Sequence, residues 1–399
     1  MDLSTSAKLI DEQASVESSL EDLLTKHDIS QLSPSAFLGA QFDAGLAWVH
    51  FPVGSGGLGV SPSLQSVVDE RLRQVGAPSP WANFQGIAQG AAAINAAGTE
   101  WQRKRFLRPA FTNEEMWSQL FSEPGAGSDL ASLATRAERD GEEWVVNGQK
   151  VWTSGAEASR WAILVARSNP DVPKHRGLTF FVCDMRADGI EVRPIRQADG
   201  AAHFNEVFLT DVRLSDSLRV GEEGHGWTVS MAGLDSERRG VATLGALGPD
   251  RDTMLRMWRN FIDKDSPVGR SLRDRVARTW IDFEILRLTN MMAGARRDDA
   301  GVADPAGPLG KLRRTGVNVS VTNLLVTLMG PEGMLGGEYA WDLDGRDRPI
   351  QLEAIRARAN TIEGGTSEIM KNVIGERVLG LPPDIRVDKT VPWSDIPRN

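Results

Sequence analysis

The chain has 399 residues, a formal net charge of −9 and a single cysteine. Such a length exceeds one ordinary domain and predicts two or three structural units. The acid excess without a basic stripe argues against a nucleic-acid surface, no apolar run approaches a membrane span, and one cysteine excludes an internal disulfide.

The N-terminal MDLSTSAKLIDEQ lacks a charged-then-apolar signal pattern, and Cys183 suits a reducing compartment, so a cytoplasmic protein is expected. Residues 1–115 read as helical. Segments 63–75 and 88–97 carry apolar residues at three- and four-residue spacing, and in the first the charges fall on the other face. The stretch 51–59, FPVGSGGLG, is a glycine-rich link; without a following Lys-Ser/Thr it is better taken as a connection than as a phosphate cradle. Between 116 and 225 the runs shorten. Segments 135–138, 144–147, 161–166, 179–183 and 206–209 are β-prone and are divided by Asn-Gly, Asp-Gly and Pro signals. Val146-Asn147-Gly148-Gln149 predicts a hairpin turn. Cys183 lies in one of the apolar runs and reads as strand packing. From Gly226 onward helical periodicity returns over 231–245, 274–293 and 317–329, with 263–269 and 298–310 as interruptions, and predicts a bundle. His203 and His225 sit beside turn residues and read as surface positions. No cluster has metal-ligand spacing, so no metal is expected.

Two segments carry the candidate chemistry. Residues 121–129, FSEPGAGSD, bunch glycines, serines and acids where the β-rich region begins, and 151–154, VWTS, follow. Gly125 and Gly127 can adopt positive φ and let a ligand approach the backbone. Ser122 and Ser128 place short hydroxyls near N–H groups, Trp152 offers a flat apolar face, and Thr153 and Ser154 add hydroxyls. A hydroxyl-rich turn facing an aromatic wall suits a flat, polar-edged cofactor; the same residues equally suit a tight turn that binds nothing. No GxGxxG follows a strand, which disfavours a dinucleotide fold.

FSEPGAGSD and VWTSGAE, together with TIEGGTSEIMKNVIGERVLGLP at 361–382, resemble in order and spacing the three signatures of the acyl-CoA dehydrogenase family. The resemblance runs from about residue 35 to about residue 385. It implies an α+β multidomain fold: an N-terminal helical domain over 1–115, a central antiparallel β-barrel-like domain over 116–225 and a C-terminal helical bundle over 226–399. It also implies FAD as cofactor, an acyl-CoA thioester as substrate, and α,β-dehydrogenation to the trans-2-enoyl-CoA. Electrons would pass to an electron-transfer flavoprotein. By position Phe121, Ser122, Gly127, Trp152, Thr153 and Ser154 resemble contacts to the flavin ring, and Thr366 and Glu368 contacts to its far half. Glu368 is equally suited to be a helix N-terminal acid. Ser128 resembles the residue that meets the pantetheine arm, and Arg238 and Gly364 are further substrate-side candidates.

The family's reaction needs a carboxylate base, and the resemblance offers two positions for it. In the loop, aligned on Gly365-Thr366, the usual site holds Gly364, and Glu363 sits one residue early. In the first helix after the β domain, Glu237 falls on the alternative position and is the favoured base; otherwise it is a surface acid paired with Arg238 or Arg239. A glutamate in an apolar slot becomes a stronger base as substrate excludes water. Two departures concern the flavin. The Arg-x-x-Phe pair common in the family is missing from 260–266, and Thr327 and Pro331 replace the usual Gln and second Gly of a turn. A homo-oligomer, dimer or tetramer, is expected, with a mixed tetramer that shares flavin sites as the competing assembly. An oxidase or flavin monooxygenase on the same fold and a half-site subunit are the alternative functions. Gly90, Gly233 and Gly245 either leave room for a branched or ring-bearing acyl group or allow close helix packing.

Overall fold

The computed structural model describes residues 3–243, 248–295, 306–335, 349–386 and 388–397. The chain divides into two compact units. The first comprises Met1–Ile195, Ala202–Ser236 and Arg386–Asn399, the second Arg196–Ala201 and Glu237–Ile385.

The first unit opens with helices α1 (Leu3–Lys26), α2 (Pro34–Asp43), α3 (Gln65–Gln74), α4 (Ala91–Ala97) and α5 (Glu100–Phe111). A π-helical turn, Gln85–Gly90, leads directly into α4, so the predicted 88–97 helix is a wider turn followed by a regular one. Thr99 starts α5 with a reciprocal capping box to Gln102, whose amide reaches the carbonyls of Ser217 and Arg219 at 2.8 Å. The link 51–59 is a loop; Gly54 and Gly56 have positive φ, and a Cβ on Gly57 would lie 2.1 Å from the Phe51 carbonyl.

The strands are β1 (Trp117–Leu120), β2 (Arg136–Asp140), β3 (Glu143–Ser154), β4 (Trp161–Arg167), β5 (Leu178–Asp184), β6 (Ile190–Ile195), β7 (Phe204–Ser215) and β8 (Arg219–Val220). They form one sheet in the order β6-β7-β3-β2-β4-β5-β8, with β1 paired to β4. Pairing is antiparallel except where β1 and the first residue of β2 meet β4. Strand β4 is buried on both faces. Trp161, Ile163 and Val165 join Phe106, Phe111 and Ile94 of the helical layer, while Ala162, Leu164 and Ala166 join Trp144, Phe181 and Val207. This double burial explains why the segment lacks alternation. Cys183 packs in the second cluster, and burial pushes its thiol up to about 12.

The hairpin expected at Asn147-Gly148 is not there. Strand β3 runs through it with a bulge between Val146 and Gly148, and the turn lies instead at Gly141, φ 64°, flanked by the Asp140–Glu143 pair. Asn147 is used across the sheet: its amide donates to Asp211 at 3.0 Å and its carbonyl oxygen accepts from the Asp211 N–H at 2.9 Å. Gly148 answers a packing demand, because a Cβ there would lie 2.3 Å from Thr135 Oγ1.

Helix α6 (Gly226–Thr243) begins in the first unit. The second unit holds α7 (Arg251–Phe261), α8 (Pro267–Ala295), α9 (Ala306–Leu328), α10 (Ile350–Arg356) and α11 (Ser367–Val373). Its core gathers Met254, Met257, Leu272, Val276, Val321, Leu324, Leu325 and Ile350. The interruption expected over 298–310 ends sooner, since α9 starts at Ala306; residues 296–305 lie outside the described residues. Among the described residues no helix is long and apolar enough to cross a membrane.

Gly148→Ala should force β2 and β3 apart at Thr135 and cost roughly 1–3 kcal/mol. The expected outcome is a melting temperature several degrees lower, followed through the β-sheet signal.

Candidate functional site

The two motif segments of the first unit are held together by one buried cation. Lys150, on β3, is fully buried, and its Nζ donates to the Phe121 carbonyl at 3.0 Å, Glu123 Oε1 at 2.9 Å and the Val165 carbonyl at 2.9 Å. Three acceptors match the three protons of an ammonium; burial pulls the lysine below its ordinary value, and the Glu123 charge and hydrogen bond oppose that. Glu123 also accepts the N–H groups of Ala134 at 2.6 Å and Thr135 at 2.8 Å. Burial alone would raise the Glu123 carboxyl; the Lys150 charge and these hydrogen bonds overcome it and hold the group below the usual carboxylate range. Neither residue stood out in the sequence. The only signal was an acid inside one motif and a lysine just ahead of the other.

Immediately beyond Lys150 the β3–β7 pairing slips, and Val151 and Trp152 leave the ladder between the Lys150–Val207 and Thr153–Asn205 pairs. The Val151 N–H turns to the Ser122 carbonyl at 2.9 Å. Trp152 has φ 63°, a left-handed conformation that bulky residues rarely adopt, and the residue is 58% exposed. The bulge thus aims an indole outward beside Ser122, steadied by an edge contact to Phe204. Ser154 is half-buried, and Gly155 follows with φ 63°. Thr153 is buried; its carbonyl accepts from Asn205 Nδ2 at 3.1 Å, while its Oγ1 and Asn205 Oδ1 have no hydrogen-bond partner among the described residues. Phe121 is buried with its ring edge-on to Phe180.

In FSEPGAGSD a two-residue turn is closed by Glu123 and Ala126, which exchange N–H···O bonds of 3.1 and 3.0 Å. Neither Gly125 nor Gly127 has positive φ; the left-handed backbone of this site lies at Trp152 and Gly155 instead. Added Cβ atoms on Gly125 and Gly127 would meet nothing within 4 Å, and Ser128 is exposed. The glycines leave open space in front of the turn, and the preceding Ser122 is bonded to the Trp152 bulge through the Val151 N–H. Such an arrangement fits the edge of a flat ligand. Gly90 and Gly233 serve close packing: their added Cβ atoms would lie 3.2 Å from Trp117 and from the Gln89 carbonyl, respectively. Gly245 lies outside the described residues.

In the second unit Glu363 is committed to structure. Its carboxylate accepts from Arg356 Nη2 at 2.8 Å and from Asn360 Nδ2 at 2.5 Å. Asn360 is itself pinned by one face of α9: Lys311 and Thr315 donate to its carbonyl at 2.9 and 3.2 Å, and Asn318 to its Oδ1 at 2.6 Å. Lys311 also donates to the Gly365 carbonyl at 2.6 Å. Gly364 and Gly365 have φ of 63° and 94°, so the loop needs both glycines. Thr366 caps α11, accepting the Ile369 N–H at 3.1 Å, and Glu368 lies exposed in the first turn. Glu237 and Arg238 are on α6, and their side chains lie outside the described residues.

Lys150→Met would strand a buried carboxylate and should cost about 3–5 kcal/mol, with partial recovery when Glu123→Gln is added. Because Glu123 is held below its unfolded value, its stabilisation is full above an unfolded pKa of about 4.3. It is lost as pH falls through the lower folded value. Glu123→Gln should therefore flatten the acid limb of the melting-temperature profile.

The N-terminal, middle and C-terminal domains of acyl-CoA dehydrogenase match residues 13–114, 118–212 and 224–379. Acyl-CoA dehydrogenase IpdE1 of Mycobacterium tuberculosis is 37% identical over 347 residues, covering 86% of each chain. Among solved structures, the Tcur3481-Tcur3483 steroid ACAD is similar with a TM-score of 0.72 at 26% identity, over 95% of this chain and 98% of that one. The ChsE4-ChsE5 complex from Mycobacterium tuberculosis follows with 0.69 at 26% identity, over 96% and 98%. With all three domains matched in order, and a relative of this identity covering most of both chains, the chain belongs to the acyl-CoA dehydrogenase family and is an enzyme of that class.

Proposed function

We propose that the protein is an FAD-dependent dehydrogenase that converts an acyl-CoA thioester to the trans-2-enoyl-CoA and passes its electrons to an electron-transfer flavoprotein. The observation that carries this reading is Trp152: an exposed indole on strained, left-handed backbone, fastened beside Ser122 and Ser154. Strain at an exposed aromatic needs a purpose, and a planar ligand supplies one. Phe121, Ser122, Gly127, Trp152, Thr153 and Ser154 would hold the ring of FAD, and Thr366 and Glu368 its far half. Bound FAD would supply the hydride acceptor that no side chain provides.

The chain's own work is to seat the thioester and take a proton. Ser128, exposed on the glycine turn, would meet the pantetheine arm, with Arg238 and Gly364 on the substrate side. Glu237 is the base. Glu363, already held by an arginine and an asparagine, lacks the freedom that proton abstraction needs. Hydrogen bonds to the thioester oxygen would stabilise charge as it develops on the acyl carbon.

We further propose an oligomer. Helix α8 exposes Trp280, Ile281, Leu288, Met291 and Met292, an apolar surface that a second subunit would cover. The two-component names of the similar solved structures make a mixed assembly the competing arrangement.

Glu237→Gln should slow substrate-driven flavin bleaching at least roughly a hundredfold while flavin stays bound. Glu363→Gln should keep bleaching and lower the melting temperature. The opposite pattern in stopped-flow absorbance would move the base to the loop. For the chain purified alone, a dimer or tetramer in sedimentation with one FAD per chain is expected. An apoprotein that takes up FAD only with a second, unlike chain would make it a half-site subunit.

A further inference from the structure

The C-terminal segment folds back within the first unit onto the stretch that follows Ser128. Backbone N–H groups of Trp393 and Ser394 donate to the carbonyls of Val172 and Pro170 at 2.9 and 3.0 Å. The Trp393 indole N–H donates to the Ser132 carbonyl at 3.3 Å, and its ring lies 4.1 Å from the Arg167 guanidinium carbon. Arg167 is buried and donates to the carbonyls of Ala131 at 2.6 Å and Leu133 at 3.0 Å. Three successive carbonyls, 131 to 133, are therefore held by Arg167 and the indole that covers it. Beside them buried Lys174 grips both oxygens of Asp129, at 2.8 and 2.7 Å, and the carboxylate of Asp388. Asp129 also accepts from Ser132 Oγ at 2.5 Å.

Ser128 thus hangs between two anchors. Upstream stands Glu123 on Lys150; downstream stands Asp129 and the 130–132 turn, fixed through Lys174 and Arg167 by residues more than 250 positions away in the chain. We propose that the C-terminal segment is a strap, and that Trp393 and Asp388 are positioning residues for the coenzyme A arm of the substrate at Ser128. They act through Arg167 and Lys174, and this rests on the substrate contact proposed for Ser128. Removing the indole frees the Ser132 carbonyl and exposes the guanidinium, which loosens the turn without touching the glycines in front of it.

The test uses the full chain, coenzyme A alone as the probe, and two readouts. In Trp393→Ala, amide hydrogen exchange across 128–133 should quicken while that of β3 is unchanged, and calorimetric affinity for coenzyme A should fall roughly tenfold. Trp393→Phe, which keeps the aromatic cover, should recover most of the affinity, and Asp388→Asn should show a smaller loss of the same kind. Unchanged exchange, or a lower melting temperature with affinity retained, would overturn the proposal. Ser128→Ala separates the two readings. If it binds coenzyme A as wild type does, the Ser128 contact fails, and exchange in Trp393→Ala alone decides whether the strap exists.

Discussion

The first unit's candidate site depends on the Lys150 ammonium. An unsatisfied charge at full burial would be untenable, so its three acceptors must stay where they are. Those acceptors belong to two separate stretches: the glycine-turn segment at Phe121 and Glu123, and β4 at Val165. One side chain thereby fixes the spacing between a loop and two strands. It does so beside the bulge, where the main-chain ladder cannot, because Val151 and Trp152 have left it.

That arrangement explains how a bulky residue is kept in the left-handed region. Backbone strain of this kind costs on the order of 1–3 kcal/mol and persists only where the surroundings over-determine the conformation. Here the determinants are Lys150 before the bulge, the Val151 N–H bound to Ser122 within it, and the Thr153–Asn205 and Ser154–Phe204 pairs after it. The rigid part is deep and the exposed part is small. Preorganisation of this kind suits the flat ligand of the proposed function.

Much of this was legible in the sequence, for identifiable reasons. The helical, β and helical regions follow from periodicity, and the motif segments stand out because glycine, serine and tryptophan are bunched where the pattern changes. What escaped was relational. Asn147-Gly148 has the chemistry of a hairpin turn, but Asp211 and Thr135, distant in sequence, put those residues to other uses. Glu123 and Lys150 look like ordinary surface charges until the fold buries them together. Gly125 and Gly127 are free to adopt positive φ, yet it is found at Trp152, where no local rule would place it.

The loop of the second unit shows the same principle with an opposite consequence for chemistry. Lys311, Thr315 and Asn318 rise along one face of α9 and hold Asn360, which in turn holds Glu363. A carboxylate so provided with donors is held in place, which is a good property for a clamp. At the next position Gly364, with φ 63°, would make any side chain strained. One residue short of the loop position that the resemblance implies, Glu363 is tied to Arg356 and Asn360, just ahead of the glycine turn. In the proposed function it is the α6 position, Glu237, that takes the proton.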